Sequence, residues 1–184
     1  MSRVWGLLGT GPIGEYKFRI VAPIEFEGRL VSYQCRDITG RAALPYLACA
    51  QENEVRDHKH CLYGMDLVPG HSVVIVEGIA DVWRLGPGAI ATFGIGYTTE
   101  QVDLMRRWKR RFVLFDSADP QALEKAEQLA DMLSGFGGWT EILEIDSSDP
   151  GAMDQEDAND LMKELGFNRR TKRKKGPVSS QTGE

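Results

Sequence analysis

The sequence has no long apolar run. Nothing in it approaches the roughly 20 residues a membrane-crossing helix needs, so no membrane partner is expected. Cysteine is scarce: Cys35, Cys49 and Cys61 are odd in number and contain no CxxC pair. That pattern argues against a disulfide framework and against a zinc ribbon. His58, His60 and Cys61 do cluster, with Cys49 upstream, but structural zinc needs four convergent ligands, and the expectation is a polar loop carrying basic side chains. The amino terminus lacks a basic n-region and a signal-peptide cleavage pattern, which points to a cytoplasmic protein. The glycine-rich opening at residues 6–14 lacks the lysine-serine/threonine ending of a phosphate-binding loop.

What is present is enough for one good domain with an appended subdomain: 184 residues, 42% of them hydrophobic. Net charge is −5, but it is unevenly spread. Residues 169–175 read RRTKRKK, and setting their six positive charges aside leaves −11 on the rest of the chain. Many of the acids fall between Asp116 and Glu164. An acidic centre with a basic tail fits metal-dependent work on phosphates; it fits equally a solvated acidic surface with a disordered tail.

Local patterns place the elements. Tyr16 to Ile24 and Arg29 to Cys35 are β-rich and read as a hairpin. Residues 37–70 carry turn signals and little periodicity. Val73 to Val76 is a continuous apolar run, as in a strand buried on both faces. A short helix over 79–85, a strand over 89–93 and a helix over 98–109 follow, the last opened by a Thr98/Gln101 capping box. Phe112 to Phe115 is a third strand. A helix over 121–133 has Asp119 at its N-cap and Pro120 at its first turn. A fourth strand over 140–145 and a helix over 158–165, closed by Gly166, complete the pattern. Strands alternating with helices predict an α/β fold with a mainly parallel central sheet flanked by helices, preceded by a small β-rich subdomain. The division expected is a segment over 1–15, the subdomain over 16–70, the α/β domain over 71–167 and a basic disordered tail over 168–184.

Ligands of open α/β sheets bind beyond the carboxyl ends of the strands. Acids stand at three such ends: Glu77, Asp116, and the pair Asp146 and Asp149. Asp81, four residues after Glu77, would share a face with it on an opening helical turn. Carboxylates converging on one sheet edge repel one another unless a cation neutralises them, and magnesium takes hard oxygen ligands and bridges to phosphates. Blander roles are also available. Asp119 is explained by capping, Asp81 by the helix dipole, Asp146 and Asp149 as loop acids, and Asp154, Glu156 and Asp157 as solvated surface.

These residues resemble a known family. Val73-Val74-Ile75-Val76-Glu77-Gly78-Ile79-Ala80-Asp81 is similar to the Toprim motif, a hydrophobic strand followed by Glu-Gly and then Asp. Phe112 to Asp116 resembles its second motif, and Ala91 to Thr98 resembles a segment of DnaG-type primases between the two. Upstream, Arg19 to Ile24, Gly28 to Val31, Arg36 and Leu62-Tyr63-Gly64 follow the order of the primase core. The resemblance covers roughly residues 16–165 and implies a Toprim fold of the DnaG-type bacterial or phage DNA primase.

By that resemblance, the chain is a nucleotidyltransferase making short RNA primers on a single-stranded DNA template from ribonucleoside triphosphates, with Mg2+ or Mn2+. Glu77, Asp81 and Asp116 are then the catalytic carboxylates. Glu77, Asp116, Asp119 and Asp149 are metal ligands, and Arg19, Arg36 and Lys59 contact nucleotide or nucleic acid. A replicative helicase and a separate zinc-binding protein are the partners such a core implies, and a core without flanking domains suits a phage. The sequence departs from the family twice. Asp116-Ser117-Ala118-Asp119 is one residue longer than the usual Asp-x-Asp, and Asp149-Pro150-Gly151 lacks the second acid of Asp-Pro-Asp, for which Asp146 is the candidate substitute. These departures keep open a Toprim nuclease and a non-catalytic single-stranded nucleic-acid-binding replication module.

Overall fold

The computed structural model describes residues 2–145 and 149–167; Asp146 and the basic tail lie outside them. The chain forms two four-stranded sheets. The first is antiparallel and meanders in chain order through β1 (Leu8–Gly9), β2 (Arg19–Phe26), β3 (Arg29–Asp37) and β4 (Tyr46–Ala48), behind a single turn of helix, α1 (Ser2–Trp5). The hairpin between β2 and β3 closes through Glu27 and Gly28, at φ 54° and 73°. Positive φ at both loop positions matches a twisted two-residue turn, and glycine takes the second without strain.

The second sheet is parallel: β5 (Ser72–Val76), β6 (Ala89–Ala91), β7 (Arg110–Val113) and β8 (Trp139–Ile142), in the order β6-β5-β7-β8. Four helices accompany it: α2 (Ile79–Leu85), α3 (Thr99–Met105), α4 (Pro120–Ser134) and α5 (Gln155–Glu164). This is the expected α/β architecture. Alternation along the strands divides the core in two. Val74, Val76, Phe112 and Leu114 pack with α2, α5 and the inner residues Ala22 and Ile24 of the antiparallel sheet. Val73, Ile75, Val113 and Phe115 pack with α3 and α4. All four β5 residues from Val73 to Val76 are fully buried, each stabilising the sheet by ~1.5–3 kcal/mol.

Several boundaries differ from the sequence expectation. The helix expected over 98–109 ends at Met105, because Arg106 and Arg107 turn and drop Trp108 into the core. The strands expected over 112–115 and 140–145 pair only as far as Val113 and Ile142. The region read as unpatterned contains β4, which pairs with β3 through Gln34, Cys35 and Arg36. The three cysteines are free and buried.

Candidate functional site

The carboxyl end of the parallel sheet opens into a cavity of about 590 Å3, walled on one side by the loops after β5, β7 and β8 and on the other by β3 and β4. Glu77, Asp81, Asp116 and Asp149 face it from the first side, and Gln34, Arg36 and Tyr46 from the second. The structure therefore brings together four of the five acids expected at the site and one of the three cations.

Each acid is placed by backbone. Glu77 follows β5 directly, and its Oε1 accepts a 2.8 Å hydrogen bond from the Asp116 amide, tying the two acidic loops together. Asp116 turns its own Oδ1 to the Ala118 amide at 2.8 Å. Gly78 caps α2 at its amino end, and Asp81 in the first turn reaches back to accept the Gly78 amide at 2.8 Å. Asp149 accepts the Gly151 amide at 2.9 Å, opening a short 3-10 turn over Pro150–Ala152.

The electrostatics follow from this crowding. Burial pushes the Glu77 carboxyl above its ordinary value; the Asp116 amide pulls it down, and the charges of Asp116, Asp119 and Asp149 push it up again. Asp81 is more extreme. Burial carries its pKa from 3.8 up to about 7, the Gly78 amide opposes this, and Asp149 and Glu77 reinforce it. Space is equally tight. A Cβ built at Gly151 would lie 2.7 Å from Asp81 Oδ1. Glycine at 151 is thus the residue that lets Asp81 come this close.

The opposite wall is also fixed. Arg36 and Tyr46 are register partners across β3 and β4, Arg36 Nη1 donates to the Tyr46 hydroxyl at 2.8 Å, and its guanidinium lies 5.4 Å from that ring centre. Burial raises the Tyr46 pKa, Arg36 lowers it, and the charges of Asp81 and Asp149 raise it across the cavity. Gln34 and Tyr46 were not singled out from sequence. Their signal is the two-residue alternation of β3, which puts Gln34 on the face of Arg36, but the pairing with β4 is a long-range fact.

Three expected residues sit elsewhere. Asp119 does not line the cavity; it caps α4 by accepting the Gln121 amide at 2.9 Å. Arg19 is buried and donates from both terminal nitrogens to the Leu44 and Pro45 carbonyls at 2.9 and 3.1 Å. Lys59 is half-buried, and burial lowers its pKa. Its ammonium donates to the carbonyls of Thr92, Phe93 and Gly96 at 2.9 to 3.2 Å. It thereby clamps a loop in which Phe93 holds φ 63°, a conformation costing a side-chain-bearing residue about 1–2 kcal/mol. Phe93 and Gly94 of that loop line the cavity.

Among the described residues, the trio whose ligand atoms lie within 4.8 Å of one another is Glu54, Asp57 and His58, in the loops after β4 and not among the cavity acids. This trio is able to hold a divalent ion. It is also internally bonded: Glu54 Oε1 accepts from Ser32 Oγ at 2.6 Å and lies 2.8 Å from His58 Nδ1, and Asp57 caps the Lys59 amide. It does not gather the cysteines or His60, so no four-ligand zinc set forms there among the described residues. The cavity acids form no such trio among the described residues.

No family model and no curated protein matches the sequence. Solved structures do. The zinc-binding and RNA polymerase domains of the Aquifex aeolicus primase superpose with a TM-score of 0.68 at 20% identity, over 88% of this chain and 43% of that one. The DnaG catalytic core superposes with a TM-score of 0.62 at 20% identity, over 82% of this chain and 49% of that one. The chain spans less than half the length of either, and its fold is that of the DnaG-type primase catalytic core. Among the described residues, no helix is long and apolar enough to cross a membrane.

Proposed function

From that fold, we propose that the chain catalyses nucleotidyl transfer, extending short RNA primers on single-stranded DNA from ribonucleoside triphosphates. The observation that carries the reading is the cavity itself: four carboxylates on one wall and a fixed guanidinium on the other, at the carboxyl end of a parallel sheet. Phosphates entering between them would meet Arg36 as a positioned cation. Glu77 and Asp116, joined through the Asp116 amide, would keep the two acidic loops in fixed relation while substrate binds.

The donor set fits a magnesium or manganese ion. It is all hard oxygen, and the upward pKa shifts of Glu77 and Asp81 mark a negative field that a cation relieves. Glu77, Asp116 and Asp149 are the residues proposed to hold it, with Asp119 close enough for its charge to act on Glu77. When bound, such an ion supplies positive charge to the triphosphate and lowers the pKa of the attacking hydroxyl. In the reaction a primer 3′-oxygen bonds to the α-phosphorus, the bond to the departing pyrophosphate breaks, and the hydroxyl proton leaves for a carboxylate or water. Asp81, which faces the cavity from the first turn of α2, is the protein group proposed to take that proton. Proposed partners are the DNA template and the nucleotides, then a helicase and a zinc-binding protein for recruitment and template selection.

The test is primer synthesis on single-stranded DNA with labelled ribonucleotides and magnesium or manganese. Short RNA products are expected from the wild type and a loss of at least about a hundredfold in Asp116→Asn and Glu77→Gln, each with unchanged circular dichroism. Products undiminished in both variants would remove the cavity from the reaction. Metal-dependent cleavage of DNA without nucleotides would reassign it to a nuclease.

A further inference from the structure

At the opposite end of the parallel sheet, where β5, β7 and β8 begin, the surface has the reverse character. Residues 106–111 read RRWKRR. Trp108 and Arg111 point inward and are buried, while Arg106, Arg107, Lys109 and Arg110 are exposed. Beside them lie two large exposed aromatics, Phe136 after α4 and Trp139 at the start of β8. The cations and rings interleave. The Arg106 guanidinium sits 4.4 Å from the Phe136 ring centre, and that of Arg110 sits 5.5 Å from the Trp139 ring centre. Arg110 and Trp139 are register partners, and the Trp139 amide donates to the Lys109 carbonyl at 2.8 Å, so this part of the array is fixed by strand pairing. Among the described residues, the ion pair on this patch is Arg106 with Asp103, leaving Arg107, Lys109 and Arg110 without a carboxylate.

A second feature lies directly behind. Arg111 is fully buried; it donates to Thr140 Oγ1 and to the Gly137 carbonyl, but its Nη1 has no partner. A buried guanidinium without a counter-charge adds to the positive field over the patch and is stabilised by any anion that settles there. The remainder of the protein is acidic, so this concentration is not a reflection of overall charge.

We propose that Arg107, Lys109, Arg110, Phe136 and Trp139 form a second, sequence-independent binding site for single-stranded nucleic acid, on the face away from the acidic cavity. Exposed rings offer stacking platforms to unpaired bases, and the unneutralised cations between them match the backbone phosphates; duplex DNA presents no free base faces to the rings. The site does not depend on the reaction proposed for the cavity.

Trp139 gives the test its readout, because Trp5, Trp83 and Trp108 are buried and Trp139 is 45% exposed. The full chain is titrated with oligo(dT) of about 12 nucleotides, within the usual 4–16 nucleotide footprint, following tryptophan emission and the anisotropy of a labelled strand. Saturable quenching is expected in the wild type. Trp139→Phe should abolish the quench, which assigns the signal to that ring. Arg107→Glu/Arg110→Glu should weaken binding at least tenfold and flatten the log–log salt slope by about 1.4, at ~0.7 per lost phosphate contact. A quench that survives in Trp139→Phe, or affinity of the charge-reversed variant within twofold of wild type, overturns the proposal. Equal displacement of the oligonucleotide by polyglutamate of matched charge also overturns it, and assigns the face to acidic protein instead.

Discussion

Asp81 is the residue on which the electrostatics of the cavity turn. In an unfolded chain its carboxyl loses its proton near pH 3.8; in the folded protein it does so near 7. Between those values the folded state binds the extra proton, so stability falls as pH rises through the window and the full penalty is present above about 7. Asp81→Asn keeps an acceptor for the Gly78 amide and carries no charge. Its melting temperature should match wild type near pH 4 and exceed it by a few degrees at pH 8, with the gap opening between. Scanning calorimetry across pH checks this, and a gap independent of pH would mean that packing, not charge, governs the position. Saturating magnesium should narrow the gap at pH 8 by stabilising the wild type more than the variant.

Among the elements, α4 shows how one acid can serve structure beside a site. Asp119 accepts the Gln121 amide and Pro120 occupies the first turn, a strong local start signal. Asp119→Ala should cost about 1 kcal/mol in a urea melt, whereas Asp119→Asn should cost only a few tenths, since asparagine caps equally well. If Asp119→Asn also keeps primer synthesis that Asp116→Asn loses, Asp119 is a cap and not a ligand. Such local signals are why α2 was legible from sequence at both ends, and why the capping box of α3 and the start of α4 were readable to the residue. Glu77, Asp81, Asp116 and Asp149 were legible for a related reason, because sheet topology brings strand ends together. The far wall was not. Tyr46 faces the acids only because β4 pairs with β3, and three residues of strand carry no pattern of their own. Nor does sequence reveal that Arg19 and Lys59 spend their donors on backbone carbonyls; a charged letter looks the same whether it meets water or a loop.

At the scale of the whole molecule, charge is sorted by region: acids at the carboxyl end of the parallel sheet, exposed arginines and lysine at the amino end, and six more cations in residues 169–175. Salt therefore discriminates between these regions. Removing residues 168–184 should lower affinity for single-stranded DNA and flatten the dependence of log K on log salt by up to about 4, at ~0.7 per cation in contact. An unchanged slope would exclude the tail from binding. Thermal stability should stay within a degree or so of the full chain, since the deletion starts beyond Phe167, the last described residue packed in the core.

The strand order of the parallel sheet also bears on how the chain is made. β2 and β3 are neighbours in sequence and can pair as soon as Asp37 leaves the ribosome. β5 cannot complete its ladder so soon, because its second partner is β7, and Val74 lies opposite Phe112. At about 5–20 residues per second, the apolar segment Ser72–Val76 waits several seconds with one edge unpaired. During that interval an apolar, uncharged strand with a free edge is a template for a neighbouring nascent chain. Translation speed across residues 77–110, and the chaperones that reach the chain in that time, should therefore govern its soluble yield.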